Sequence, residues 1–85
     1  MTTSDDVERT LAQLIEKVSG TDPLARSAGR PLTGLSLRDE LDIDSLAMVE
    51  LTDEIENSYG LTIPEDGLHR LHTFGDVADY LRAVA

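Results

Sequence analysis

Apolar residues recur at Val7, Leu11, Leu14, Ile15 and Val18, the three-and-four spacing of one helix face, with polar and charged positions between them. This predicts a first helix over residues 4–18, capped by Ser4 or Asp5, with acidic residues in a first turn where the helix dipole favours them, and stopped at Ser19-Gly20. A second stripe, Met48, Leu51, Ile55 and Tyr59, predicts a helix over residues 45–58, with Gly60 as its stop. The opposite face of that helix carries Glu50, Asp53, Glu54 and Asn57. Pro64 opens a short third helix, with Glu65 and Asp66 in its first turn and Leu68 and Leu71 turned inward. Thr73 reads as the N-cap of a last helix, with Asp76 three residues on as its capping-box partner and Val77, Tyr80, Leu81 and Val84 as its apolar contacts.

Between the first two helices, over residues 20–34, the period dissolves. Pro23, Gly29, Pro31 and Gly34 punctuate a Ser/Thr-rich stretch that reads as a long first loop, more mobile than the helices. Its Leu24, Leu32 and Leu35 argue that it lies on the domain. Leu37 and Leu41 anchor its end, through a single helical turn over residues 37–40. Residues 61–63 form a short extended link whose Ile63 plugs the core. With no strand-like alternation and no repeat, the fold class is all-α: a small four-helix bundle of antiparallel type, three helices long and one short. The expected core is Leu11, Ile15, Val18, Leu41, Leu51, Ile55, Ile63, Leu68, Leu71, Val77 and Leu81, with Phe74 and Tyr80 as core or rim aromatics.

Composition narrows the picture. The 85 residues make one domain, residues 1–85, with room for a small core. There is no cysteine, so helix packing alone stabilises it; zinc loses its best ligands and a cysteine nucleophile is excluded. The absence of cysteine also fits a reducing compartment. Seventeen acidic residues against seven Lys and Arg give a formal net charge of −10. Such a chain is repelled by nucleic-acid backbones and anionic membranes and drawn to basic protein surfaces. Residues 1–6, Met-Thr-Thr-Ser-Asp-Asp, have neither the basic nor the apolar region of a signal peptide, and no apolar run reaches transmembrane length. A soluble, cytoplasmic monomer is expected.

The chemistry centres on Asp44-Ser45-Leu46, where the irregular segment runs into the second helix. Asp44 is a good N-cap. It leaves the Ser45 hydroxyl beside unpaired backbone N–H groups at the positive end of the dipole, a setting that suits a phosphodiester. Asp44-Ser45-Leu46 followed by Val49-Glu50-Leu51 resembles the attachment motif of the acyl carrier proteins, and the likeness runs back to Leu37 and Leu41 and forward through Tyr59, Ile63-Pro64, Leu71, Thr73 and Tyr80-Leu81. The resemblance implies a carrier and not an enzyme, with a 4′-phosphopantetheine arm on Ser45 that holds acyl groups as thioesters. It also implies a phosphopantetheinyl transferase as partner, bringing coenzyme A and Mg²⁺, with Asp44 as a supporting contact for that enzyme.

A charged helix face is usually just solvated, but the lopsided net charge favours reading this one as a docking surface for acyl-transferring and condensing enzymes with basic patches. There Glu50, Asp53, Glu54 and Glu56 would steer the partner, and Leu46 and Val49 would add an apolar anchor. Three features depart from the housekeeping fatty-acid pattern of the resembled family: a longer first loop, Asp42 where glycine is common, and Asp53 where an apolar residue is common. They point toward polyketide-type or other specialised biosynthesis, with a fatty-acid synthesis carrier or an aminoacyl carrier as the alternative. Peptidyl and aryl carriers usually show Gly-Gly-x-Ser-Leu, which Asp42-Ile43-Asp44-Ser45-Leu46 does not match.

His69 and His72 are three apart, but no third ligand has helical spacing to both, so surface histidines are the plainer reading. A serine hydrolase needs a substrate pocket and an oxyanion hole that so small a chain hardly provides. Asp42-x-Asp44 opens like a calcium loop, yet Leu46 and Ala47 stand where a ligand and glycine are required. The rival from another class is an acidic interaction module in which Ser45 is an ordinary capping residue.

Overall fold

A computed structural model describes residues 3–84, with side chains from Asp6 onward. The proposed caps Ser4 and Asp5 lie outside the described side chains. The helices are α1 (Thr3–Ser19), α2 (Pro23–Ser27), α3 (Ser45–Tyr59), α4 (Glu65–Leu68) and α5 (Phe74–Val84), with a 3₁₀ turn at Leu32–Gly34. The fold is all-α. α1, α3 and α5 are the long elements, and α1 packs against both others.

Apolar periodicity builds this core directly. Leu11 and Ile15 of α1, Leu51 and Ile55 of α3, and Phe74, Val77, Ala78 and Leu81 of α5 are buried, joined by Leu35, Leu37, Leu41, Ile43, Ile63 and Leu71 from the connections. Each large side chain buried in this way contributes about 1.5–3 kcal/mol. Exposed ion pairs such as Lys17 to Glu54, at 3.1 Å, contribute at most about 1 kcal/mol each, so the core decides the fold. Phe74 is fully buried. Val18 and Leu68, expected inside, are only partly buried at the core's edge, and Val84 is 49% exposed because it lies in the last turn of α5, past the end of the core.

The segment expected to be a loop contains a helix. Asp22 accepts the Leu24 N–H at 3.0 Å, and Pro23 sits in the first turn with its φ already suited to a helix, so five residues close into α2 before Ala28 turns left-handed at φ 50°. Pro23, not Leu24, is the residue that packs inward. Leu24 is 61% exposed, whereas Leu32 is half-buried and Leu35 buried.

Two backbone hydrogen bonds then fix the chain ahead of Ser45. Phe74 N–H donates to Leu35 O at 2.9 Å and Leu37 N–H to His72 O at 3.0 Å, pairing residues 35–37 with the start of α5 around an isolated bridge between Ser36 and Thr73. The single turn expected over 37–40 forms, with Ser36 O accepting from both Glu40 and Leu41. The Thr73–Asp76 capping box forms as well: Thr73 Oγ1 accepts from Asp76 N–H at 3.0 Å, and the Asp76 carboxylate accepts from Thr73 N–H at 3.1 Å.

Candidate functional site

The head of α3 is built from a short run of backbone constraints. Leu37 O accepts the Ile43 N–H at 2.8 Å, which pulls the chain back over the turn, and Ile43 is buried beneath it. Asp42, just before, takes a left-handed backbone at φ 59°, the conformation glycine adopts at no steric cost and Asp tolerates better than most. Its carboxylate accepts from the Thr21 hydroxyl at 2.6 Å and from Arg26 at 3.4 Å, so α2 and its approach are tied to this turn. Asp42 therefore keeps the turn its backbone requires.

Asp44 is the N-cap of α3, with an extended backbone and Oδ1 accepting the Ala47 N–H at 2.8 Å, while its carbonyl accepts the Met48 N–H at 2.8 Å. Ser45 follows at the first helical position and is exposed. Its hydroxyl makes no hydrogen bond among the described residues, and the N–H groups of Ser45 and Leu46 have no acceptor among them either. A tetrahedral anion esterified to that oxygen would meet these donors and the positive end of α3. The geometry thus fits a phosphate-linked group on Ser45, with Asp44 holding the helix start.

Leu46 and Val49 are 71% and 59% exposed, two large apolar side chains left in solvent next to the serine. Glu50 and Asp53 are exposed on the same helix. Glu54 is half-buried and paired with Lys17, and Glu56 is half-buried with its carboxylate accepting the Ile63 N–H at 2.7 Å. Glu56 therefore serves first as a brace between α3 and the 61–63 link, a role that no periodicity in the chain marks.

Beside Ser45 opens a cleft of about 700 Å³, reaching from the 36–39 turn and α3 to the α4 end of the fold. Its apolar lining includes Ile43, Met48, Val49, Leu68 and Leu71; its polar lining includes Arg38, Thr52, His69 and His72. His69 lies 4.0 Å from Glu65, and among the described residues no three side chains of metal-ligating type come together.

Two carboxylates nearby have pKa values held below their ordinary range. Glu40 is lowered by the hydrogen bond from the Arg30 side chain and then by the Ser36 N–H. Asp76 is lowered chiefly by the His72 N–H at 2.9 Å, burial opposing and the Thr73 N–H and hydroxyl assisting. Both effects are structural: they fix the turn before α3 and the start of α5.

A small helical domain that presents one uncommitted hydroxyl at a helix head, with exposed apolar and acidic residues beside it, is the architecture of a covalent carrier. Residues 9–81 match the family described as the phosphopantetheine attachment site, and this chain belongs to it. It is 39% identical over 80 residues to the meromycolate extension acyl carrier protein of Mycolicibacterium smegmatis, covering 94% of this chain and 76% of that one. It is 35% identical over 80 residues to the acyl carrier protein of Rhodococcus erythropolis, covering 94% and 82%. With the acyl carrier protein of Acidothermus cellulolyticus the identity is 39% over 71 residues, covering 84% and 79%. The family is one of carriers and not of enzymes, its prosthetic group is 4′-phosphopantetheine, and its members work with a phosphopantetheinyl transferase and acyl-handling enzymes. No described helix is long and apolar enough to cross a membrane.

Proposed function

We propose that Ser45 carries the 4′-phosphopantetheine arm and that the protein, as one monomeric cytoplasmic domain, tethers acyl intermediates in a specialised, polyketide-type biosynthesis. The observation that supports this most is the Ser45 hydroxyl itself: exposed, unbonded among the described residues, and set at the capped head of α3 inside a matched attachment domain. In loading, the Ser45 Oγ–phosphorus bond forms as the diphosphate bond of coenzyme A breaks; adenosine 3′,5′-bisphosphate leaves, and the hydroxyl proton passes to the transferase. Asp44 keeps the hydroxyl at a fixed place and offers the transferase a carboxylate. The arm ends in a thiol that holds the acyl group as a thioester, and tethering gives each docked enzyme a high effective concentration of it.

Docking falls to Leu46, Val49, Glu50 and Asp53, with Glu54 and Glu56 adding to the field while they serve the fold. The names of the mycobacterial relatives favour a second reading, in which the cargo is a hydrocarbon chain under extension. Co-expression with a broad-specificity transferase, followed by intact-protein mass spectrometry, tests the assignment. One phosphopantetheinyl group is expected on the natural chain and none on Ser45→Ala, and modification that persists in the variant would refute it.

A further inference from the structure

The 20–34 segment reaches the turn ahead of Ser45 through one guanidinium. Ala28 at φ 50° and Gly29 at φ 90° fold the chain back at the end of α2, so Arg30 donates twice to Ser27 O, from its backbone N–H at 2.9 Å and from Nε at 3.2 Å. Held in that way, Arg30 donates from Nη2 to Glu40 Oε2 at 2.8 Å, while Glu40 Oε1 accepts the Ser36 N–H at 3.1 Å. The Ser36 carbonyl accepts in return from the Glu40 N–H at 3.0 Å, and its hydroxyl accepts from the Asp39 N–H at 3.2 Å. The result is a capping box closed on a single turn, with its carboxylate one residue later than usual. Arg30, and after it the Ser36 N–H, hold the Glu40 pKa low, so the carboxylate stays ionised and accepting.

This turn has a way to move. Its inner side is set by buried Leu37, Leu41 and Ile43, but Asp42 between the last two is left-handed, a strained backbone for a residue with a side chain. Thr21 and Arg26 hold the Asp42 side chain, whereas Glu40 holds the backbone of the turn itself. Relaxation at Asp42 would redirect Ile43 and Asp44 and carry the Ser45 hydroxyl off its place. An attacking oxygen about 1 Å out of line loses up to about a hundredfold in rate. We infer that Glu40, braced by Arg30, is a positioning residue for the loading of Ser45, fixing the turn from which Asp44 and the hydroxyl project. The inference rests on Ser45 bearing the arm, and it adds a residue that the Asp44-Ser45-Leu46 motif does not contain.

The test measures transfer from coenzyme A by a broad-specificity phosphopantetheinyl transferase to the full chain and its variants, below the melting range of each. The docking residues on α3 are untouched, so a chain with a displaced turn still binds, but unproductively. In Glu40→Ala, kcat is therefore expected to fall about two- to fivefold at unchanged KM, the range open when one hydrogen bond no longer biases the turn. Glu40→Gln keeps an acceptor for the Ser36 N–H and should retain about half or more of the natural kcat. Arg30→Ala, at an exposed position that the core does not need, should fall between the two. Amide shifts of Ile43, Asp44, Ser45 and Leu46 should move in Glu40→Ala and return in Glu40→Gln. A purely structural contact would lower the melting midpoint of Glu40→Ala and leave kcat of the folded variant alone, and that result overturns the inference. A loss in KM in place of kcat, or a Glu40→Gln variant as slow as Glu40→Ala, also overturns it, and all three leave the carrier reading standing. A natural chain that gains no phosphopantetheine at Ser45 overturns both, and its intact mass, taken first, tells the two failures apart.

Discussion

The Thr21 hydroxyl donates a 2.6 Å hydrogen bond to the carboxylate of Asp42, a residue held at φ 59° three positions before Ser45. The side chain and the backbone of Asp42 thus pull in opposite directions energetically. A left-handed backbone costs a side-chain-bearing residue about 1–2 kcal/mol, while exposed polar contacts to Thr21 and Arg26 return at most about 1 kcal/mol each. Asp42→Gly should therefore leave the denaturation midpoint almost unmoved while quickening amide exchange in α2, which loses its tie to the turn. Asp42→Ala loses the same contacts and keeps the strain, so it should fall about 1 kcal/mol or more below the glycine variant in urea titration.

Gly75 and Gly67 should respond with opposite signs to the same substitution. A Cβ on Gly75 would lie 2.8 Å from Thr33 O and 3.2 Å from Thr33 Cα, backbone atoms that cannot swing aside. Gly75→Ala should destabilise by about 1–3 kcal/mol despite the better helix propensity of alanine. At Gly67 the nearest atoms would be 3.7 Å away, an ordinary contact, so Gly67→Ala should stabilise by up to about 1 kcal/mol. Thermal or chemical denaturation of the two variants decides it.

The acid limb of stability should depend on Asp76. Its carboxyl pKa is depressed in the fold, so its contribution is complete above the unfolded value, about 3.9, and is lost as pH falls through the lower folded value. Asp76→Asn should cost about 1 kcal/mol near neutrality through the weakened cap and flatten the pH dependence of the midpoint below about pH 4. Some slope should remain in the variant, because Glu40 is depressed in the same direction by Arg30 and Ser36.

Charge reversal on α3 separates docking from bracing. Glu50→Lys with Asp53→Lys changes only exposed positions, so stability should hold within about 0.5 kcal/mol while association with a basic partner enzyme slows, mostly at low salt. Glu56→Lys leaves the Ile63 N–H without its acceptor and should lower stability by about 1–3 kcal/mol at any ionic strength. Stopped-flow association rates across a salt series, read beside melting curves, distinguish the two roles. Unchanged rates in the double variant would reduce the acidic face to a solvated one.

What the sequence made legible follows physical range. α1 and α3 announce themselves because Leu11, Ile15, Leu51 and Ile55 repeat over several turns, and the caps Asp44 and Thr73 are read from residues within a single turn of them. α2 escapes because Pro23–Ser27 spans barely more than one turn, too short for any period, and Leu24 then points to solvent. The brace from Glu56 to Ile63 and the tie from Thr21 to Asp42 join residues 7 and 21 apart, and nothing local distinguishes those side chains from their solvated neighbours. The Ser45 locus was legible through Asp44-Ser45-Leu46 and the spacing around it. The cleft was not, since its walls come from the 36–39 turn, α3 and the α4 end, which only folding brings together.

The start of α3 is secured by Asp44 through Ala47 and Met48, and the Ser45 oxygen holds nothing in place among the described residues. Esterifying that oxygen thus takes no bond away from the scaffold, so manufacture and arming become independent events. The armed chain should melt no lower than the bare one in calorimetry, and slightly higher where the phosphodiester meets the open N–H groups at the head of α3, and removing the arm would return an intact scaffold ready to be charged again.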